Sequence, residues 1–177
     1  MTGMRAIVLS GALACAAATG VHAQTYPDKP VRVVVPFAAA GSTDILIRTV
    51  GQKMAEALGQ TLVIDNRGGA GGAIGAELAA RAAADGYTIM ATTSGVVVVN
   101  QSLYKKLGYD PIRDFAPITV IASLPNMLVV QPASPVNSVR DLIELAKGKQ
   151  GQLTYASGGN GTPNHLAGEL LKYLAKI

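Results

Sequence analysis

The stretch VRVVVPFAAAGSTDILIRTVGQKMAEAL, residues 31–58, decides how the rest of the chain can fold. Val31–Val35 is rich in β-branched residues and ends at a proline, which predicts a strand covered on both faces. After a loop of small residues, Ser42 or Thr43 can cap a helix whose first turn carries Asp44. A strand that feeds a helix through such a loop points free backbone N–H groups at the carboxyl edge of a sheet, which attracts anions.

The next segments repeat this alternation. Thr61–Asn66 predicts a second strand, Arg67–Gly75 a glycine-rich turn, Ala76–Ala84 a helix, and Tyr87–Thr93 a third strand. Strands that alternate with helices form parallel sheets whose crossovers are right-handed. The first part of the chain is therefore expected to be a βαβαβ unit of an α/β protein.

The glycine-rich turn does not match a dinucleotide-binding fingerprint. If Gly69 and Gly71 are the first pair, Ile74 stands where the third glycine belongs, and Tyr87–Thr93 lacks the expected acid. A structural role explains the glycines better, because they let the backbone turn and let a helix pack closely on the sheet. That role is expected for Gly71, Gly72 and Gly75.

The second half of the chain is more irregular. A short helix is expected near Leu103, and prolines between 125 and 135 mark a crossing between domains. The remaining predicted elements are strands at Ala116–Ser123, Asn126–Gln131 and Leu153–Ser157, a helix from a capping box at Ser138 to Lys147, and a last helix capped by Thr162.

The N-terminus has the pattern of an export signal. A basic start at Met1–Arg5 precedes an apolar stretch and a small-residue site at Val21–Ala23, so cleavage is expected after Ala23. An ordinary buried helix is the alternative, and lipidation at Cys15, the only cysteine, is a weaker one. The net charge of +4 is spread along the chain without a Lys/Arg block, so no nucleic-acid partner is expected.

The N-termini of two predicted helices are the best candidates for a binding site. Ser42 and Thr43 open the first helix, while Ser157 and Thr162 flank the glycine-rich turn before the last. Unpaired N–H groups and hydroxyls there could hold a carboxylate. Alternatively, these residues only cap their own helices.

Catalytic and metal chemistry find little support in the residues. His165 could be a base or a ligand, but it more simply packs, caps or borders a pocket. Asp44 is first of all a charge at a helix N-terminus. The chain has no G-x-S-x-G elbow.

Many short motifs, in order, resemble the mature Bug-type receptors, the extracytoplasmic substrate-binding proteins of tripartite tricarboxylate transporters. The resemblance covers essentially all of the mature chain. Its motifs lie at 26–32, 35–37, 41–44, 65–67, 69–72, 84–88, 103–104, 109–111, 114–115, 138–139, 158–162 and 165. The chain departs from that pattern at residues 38–41, where it has Ala-Ala-Ala-Gly and the family usually has prolines and two glycines, and at Gly68, where the family usually has proline.

The resemblance implies a two-domain protein that closes around a small organic carboxylate and delivers it to membrane permease subunits. It implies a periplasmic, monomeric receptor of periplasmic-binding-protein-like α/β fold, without catalysis, cofactor or metal. The expected domains are 24–124 and 125–177. The expected ligand-binding residues are Phe37, Gly41, Ser42, Thr43, Asp44, Ser94, Ser157, Asn160, Gly161, Thr162 and His165.

The length of the chain is the largest departure from the family. Family members continue through the rest of a second domain and back into the first, so both domains are expected to be incomplete here. Two other functions remain open: a small exported hydrolase or nucleotide-using enzyme on a doubly wound sheet, and a truncated remnant without function.

Overall fold

A computed structural model describes residues 25–177. The predicted signal at 1–23 and Cys15 lie outside the described residues. In chain order the elements are β1 (Val31–Val35), α1 (Ser42–Leu58), β2 (Leu62–Asn66), a 3₁₀ turn (Ala70–Gly72), α2 (Ala73–Ala80), β3 (Thr88–Met90), a π-helical turn (Gly95–Val99), α3 (Asn100–Leu103), α4 (Val139–Gly148) and α5 (Pro163–Ala175).

The three strands form one parallel sheet in the order β2-β1-β3. Val31 pairs with Leu62 and Val35 with Asn66, while Val33 on the other side pairs with Ile89. The central position of β1 explains its composition, because a strand with neighbours on both edges and cover on both faces tolerates continuous apolar residues. The predicted βαβαβ unit with a parallel sheet is therefore confirmed.

The two faces of the sheet carry separate apolar clusters. On one face, Val33 and Val35 pack with Ile47 of α1 and with Ala91. On the opposite face, Ala76 of α2 packs with Val96 and Tyr109, and Met90, which pairs with Val34, joins them. The alternation of side chains along a strand separates these sets, and the result is a sheet between two helical layers.

The glycine-rich turn has the structural role that the sequence predicts. Gly71 and Gly72 adopt positive φ values of 59° and 91°. A Cβ atom at Gly75 would lie 2.6 Å from the Arg67 carbonyl oxygen and 2.7 Å from the Pro36 Cα. The first turn of α2 therefore packs directly on the end of β1, which only glycine permits.

Three predicted strands are wrong. Residues 116–123, 126–131 and 153–157 have no strand structure, and many of their apolar side chains are exposed. These segments have the β-branched composition of strands, but a strand also needs a hydrogen-bonded neighbour. None of the described segments pairs with them.

Other predicted boundaries shift by a few residues. The third strand spans only Thr88–Met90, and α2 runs from Ala73 to Ala80 rather than from Ala76 to Ala84. The short helix near Leu103 and the capping box at Ser138 are confirmed, since the Asp141 N–H donates to the Ser138 hydroxyl over 3.1 Å. Within 25–177, no helix is long and apolar enough to cross a membrane.

Candidate functional site

The N-terminus of α1 lies where β1 ends, at the carboxyl edge of the sheet. Its N-cap is Gly41, not Ser42 or Thr43 as the sequence predicts, and no side chain caps it. Extended backbone at Gly41 brings its carbonyl to the N–H of Ile45, at 2.9 Å. The N–H groups of residues 42–44 precede the first intrahelical bond, so this end of the helix offers donors and a positive dipole to an anion.

Asp44 is a buried carboxylate in the first turn of α1, with a residue exposure of 3%. It accepts hydrogen bonds from the Ala40 N–H at 2.8 Å, from Arg48 Nε at 3.0 Å and from Asn66 Nδ2 at 3.0 Å. The bond from Arg48, followed by that from Ala40, lowers the pKa of Asp44 to about 2 from its ordinary 3.8. The Asp44 charge is thus balanced inside the protein, and its oxygens are engaged with protein donors.

The same network fixes the loop between β1 and α1, residues 37–41, called the first loop below. Asn66, at the end of β2, also donates to the Phe37 carbonyl at 3.2 Å and accepts from Arg48 Nη2 at 3.1 Å. Ala40 is held at a φ of 63°, a left-handed conformation that alanine rarely adopts. Asp44 and Asn66 together therefore tie the first loop to the sheet.

Phe37 has a different place from its neighbours in the first loop. Its half-buried ring packs against both apolar clusters, so its side chain belongs to the core. Ser42 is exposed and Thr43 half-buried at the first two positions of α1. A role of these three residues and of Gly41 in ligand binding remains a prediction.

The glycine turn before α5, residues 157–162, is called the second loop below. The Thr162 hydroxyl donates to the Gly159 carbonyl at 2.6 Å and does not cap the helix. The Gly159 N–H donates to the Ser157 hydroxyl at 3.3 Å, and the Gly161 N–H donates to His165 Nδ1 at 3.4 Å. His165 thus closes the turn, which accords with the packing or capping role weighed from the sequence.

A third polar group follows β3. Ser94 is exposed, whereas the hydroxyls of Thr92 and Thr93 are buried and have no hydrogen-bond partner within 25–177. Buried hydroxyls generally have partners, so these two are available to a water molecule or a ligand. Thr92 and Asn66 are not among the site residues that the sequence predicts. Their position just after parallel strands was the signal that could have found them, because such residues meet at one sheet edge.

The glycine-rich stretch lies between the first and second loops. A Cβ atom added to Gly68 would lie 3.2 Å from the Ala38 backbone nitrogen, and one added to Gly72 would lie 3.4 Å from the Phe37 ring. On its other side, a Cβ at Gly71 would lie 2.1 Å from the Asn160 carbonyl oxygen. The two predicted ligand loops thus contact the same short segment.

Elsewhere the described part of the chain offers little chemistry. No group of three or more His, Cys, Asp or Glu side chains within 25–177 could hold a metal ion. Two surface grooves lie away from the loops. One, of about 690 Å³, is lined by residues 169–177, and one of about 360 Å³ lies between α1 and β2.

The family model for the "Tripartite tricarboxylate transporter family receptor" matches residues 46–176. BugT of Bordetella pertussis is 34% identical over 173 residues, which are 97% of this chain and 53% of BugT. Two solved structures from Rhodopseudomonas palustris are also similar. Rpa4515 with adipate has a TM-score of 0.83 and 41% identity, and MatC with bound malate has 0.81 and 33%.

Each of these alignments with a solved structure covers 86% of this chain, but 51% of Rpa4515 and 52% of MatC. The chain thus spans about half the length of the relatives it matches. Its parallel sheet, helical layers and loops at the carboxyl edge define an α/β fold of the periplasmic-binding-protein class. The chain belongs to the tripartite tricarboxylate transporter receptor family.

Proposed function

We propose that this chain captures a small organic carboxylate at the N-terminus of α1 and presents it to a membrane permease. The open N-terminus of α1 carries the proposal. The donors of residues 42–44 face no intrahelical carbonyl, while the neighbouring Asp44 charge is balanced by Arg48. An anion bound there would interact with the positive end of the helix dipole and with backbone hydrogen-bond donors. The first loop contains no lysine or arginine, so these backbone groups would be its main partners in that loop.

The relatives support a dicarboxylate as the ligand class. Rpa4515 was solved with adipate and MatC with malate, and both ligands carry two carboxylates. Two binding loops suit a ligand with two charged ends. The second loop would receive the other carboxylate through the region that includes Ser157, Asn160 and Thr162, and Ser94 would border the space between them.

The first prediction concerns binding and its dependence on Thr43. Titration calorimetry of the purified chain with adipate, malate and citrate should show binding to at least one, and none to the uncharged diamide of adipate. Thr43→Val removes a hydroxyl at the second position of α1, and it should weaken that binding at least tenfold. Losing one hydrogen bond to a charged group costs about 1.5–3 kcal/mol, and 1.4 kcal/mol corresponds to a factor of ten.

Thr49→Val is the matched control, because Thr49 is exposed on the same helix and its hydroxyl donates to the Ile45 carbonyl at 2.9 Å. The Thr49→Val variant should bind the carboxylate with the affinity of the unmodified chain. If Thr43→Val also binds with that affinity, the hydroxyls of α1 have structural roles only. A folded chain that binds none of the carboxylates would contradict the proposed function and favour the remnant hypothesis.

A role as an exported enzyme finds less support. Solute-binding receptors form the matched family, and its solved relatives include periplasmic binding proteins. His165, the histidine considered for catalysis, accepts a backbone hydrogen bond in the second loop. We therefore propose binding without catalysis.

The second prediction concerns export. Receptors of this family are periplasmic binding proteins, and the sequence before Gln24 has the composition of a signal peptide. Mass spectrometry of periplasmic material should find Gln24 as the first residue. His22→Ser keeps small residues throughout the cleavage site and should be processed like the unmodified chain, whereas Ala23→Arg should block processing. Recovery of intact Met1 or of lipid-modified Cys15 would contradict this prediction.

A further inference from the structure

The second loop is where the last part of the chain becomes buried. Within residues 137–177, only Gly161 and Thr162 are buried, and Thr162 is 4% exposed. Helices α4 and α5 have no buried residue at all. The covered surface at Gly161 and Thr162 therefore marks the place at which this part of the chain rests on the sheet unit.

The contact is made between backbones at two glycines. A Cβ atom at Gly71 would lie 2.1 Å from the Asn160 carbonyl oxygen, and one at Gly95 would lie 2.4 Å from the Gly161 carbonyl oxygen. Real Cβ atoms essentially never approach closer than 3.0 Å. Any side chain at these two positions would therefore push the second loop away, and glycine is required for this close approach.

Asn100 holds the surface beneath the contact. It is fully buried, and its Nδ2 donates to the Gly71 carbonyl and to the Tyr109 hydroxyl, each at 3.3 Å. The Tyr109 hydroxyl in turn donates to the Val96 carbonyl at 2.6 Å. These bonds join the 3₁₀ turn that contains Gly71 to the π-helical turn that contains Gly95.

The free oxygen of Asn100 faces the second loop. Its Oδ1 has no hydrogen-bond partner within the described residues, and it lies 2.8 Å from a Cβ built at Gly161. A side chain at Gly161, which has a φ of 84°, would therefore collide with Asn100 as well as strain the backbone. Both sides of the contact thus depend on the absence of side chains.

We propose that Gly71, Gly95 and Asn100 are positioning residues that form a seat for the second loop. The seat sets the distance between the two ligand loops, because the same glycine-rich stretch contacts Phe37 of the first loop through Gly72. The positioning role in ligand capture rests on the proposed function. The docking of the second loop on the seat does not require it.

Gly95→Ala tests the seat with little disturbance of the local backbone. Gly95 has no positive φ, and alanine is favoured over glycine in helical conformation. The alanine Cβ would lie 2.4 Å from the Gly161 carbonyl oxygen, and ordinary van der Waals contact begins at 3.4 Å. The second loop must therefore move away from residue 95. Hydrogen exchange of the ligand-free full chain should then be at least about tenfold faster for amides of residues 158–166, while exchange in β1 stays unchanged.

Gly148→Ala is the matched control, since a Cβ there meets nothing within 4 Å. It should leave exchange in 158–166 as in the unmodified chain, and Gly95→Ala alone should weaken carboxylate binding at least about tenfold. Unchanged exchange in Gly95→Ala would overturn the seat. The seat would also be overturned if, in the unmodified chain, amides of residues 158–166 exchanged as fast as those of the exposed segment 116–131. If no carboxylate binds the unmodified chain, the proposed function fails, but the exchange result still decides whether the seat exists.

Discussion

Thermolysin is expected to cleave the chain between residues 116 and 131 more than about a thousandfold faster than within β1. Both segments offer the apolar residues that this protease recognises. Ile118, Val120 and Met127 are 80–84% exposed, whereas Val33, Val34 and Val35 of β1 are 0% exposed. The exposed segment opens at almost no cost, while β1 opens only with global unfolding, which costs at least about 5 kcal/mol. At 1.4 kcal/mol per factor of ten, this difference corresponds to more than about three orders of magnitude.

Mass spectrometry of early digestion products decides this prediction. The first cuts should fall within 116–131 and leave a resistant fragment that contains the three strands. Ile118→Asp with Val120→Asp removes two recognised sites without touching the core, so cleavage should move to the exposed apolar residues that remain between 121 and 130. A first cut inside residues 31–103, or equal resistance of both segments, would show that 116–131 is covered in solution.

The sequence predicted the sheet because its local and long-range signals agree. The apolar run at Val31–Val35 is bounded by prolines, and a crossover helix follows it with the right spacing for parallel pairing. Its two neighbours in the sheet come from the same short stretch of chain. Each strand of the unit therefore finds its partner within residues 31–90.

The same reasoning fails at 116–131 and 153–157. A β-branched composition reports how well a residue fits a covered strand, and it cannot report whether a neighbouring strand exists. Met127–Val130 would suit a strand covered on both faces, yet all four side chains are exposed. The missing information lies in pairing, which single segments do not encode.

The candidate site was predictable where it depends on composition and not where it depends on contacts. Small polar residues after a strand pointed to the N-terminus of α1, although the cap proved to be Gly41. The roles of Asn66 and Asn100 depend on partners 29 residues away, at Phe37 and Gly71. Asparagine after a strand or in a short helix has many possible roles, so its partners could not be inferred from the sequence.

Asp44→Ala is expected to release the first loop and to weaken carboxylate binding at least about tenfold, with a lower melting temperature. The substitution removes the acceptor for Ala40, Arg48 and Asn66 at once, and unpaired polar groups in a covered site are unfavourable. Calorimetry and thermal unfolding measure the two effects. Glu56→Gln, which removes an exposed charge on the same helix, should change neither. Unchanged binding in Asp44→Ala would show that the first loop keeps its shape without the network.

Acid should reveal the same carboxylate. Because the pKa of Asp44 is about 2 in the folded chain and its ordinary value is 3.8, the ionised group stabilises the fold fully above about pH 4. This contribution is lost as the pH falls through about 2, when the folded form also binds the proton. The melting temperature of the unmodified chain should therefore fall more steeply between pH 4 and pH 2 than that of Asp44→Asn. If the melting temperatures of the two proteins fall in parallel between pH 4 and pH 2, the low pKa of Asp44 is contradicted.

Ala40→Gly should restore part of the binding that Asp44→Ala loses, and it should do little to binding in the unmodified chain. Ala40 has a φ of 63° and donates its N–H to Asp44, so the network holds alanine in a left-handed conformation. That conformation costs an alanine about 1–2 kcal/mol and costs glycine almost nothing.

With Asp44 present the first loop is already held in this shape, so a glycine at position 40 would not improve ligand binding. Without Asp44 the free loop relaxes, and the ligand must impose the left-handed shape again, which glycine makes easier. A double-mutant cycle on affinity measures this coupling. Additive effects would show that Asp44 acts on the ligand site by some route other than the backbone at Ala40.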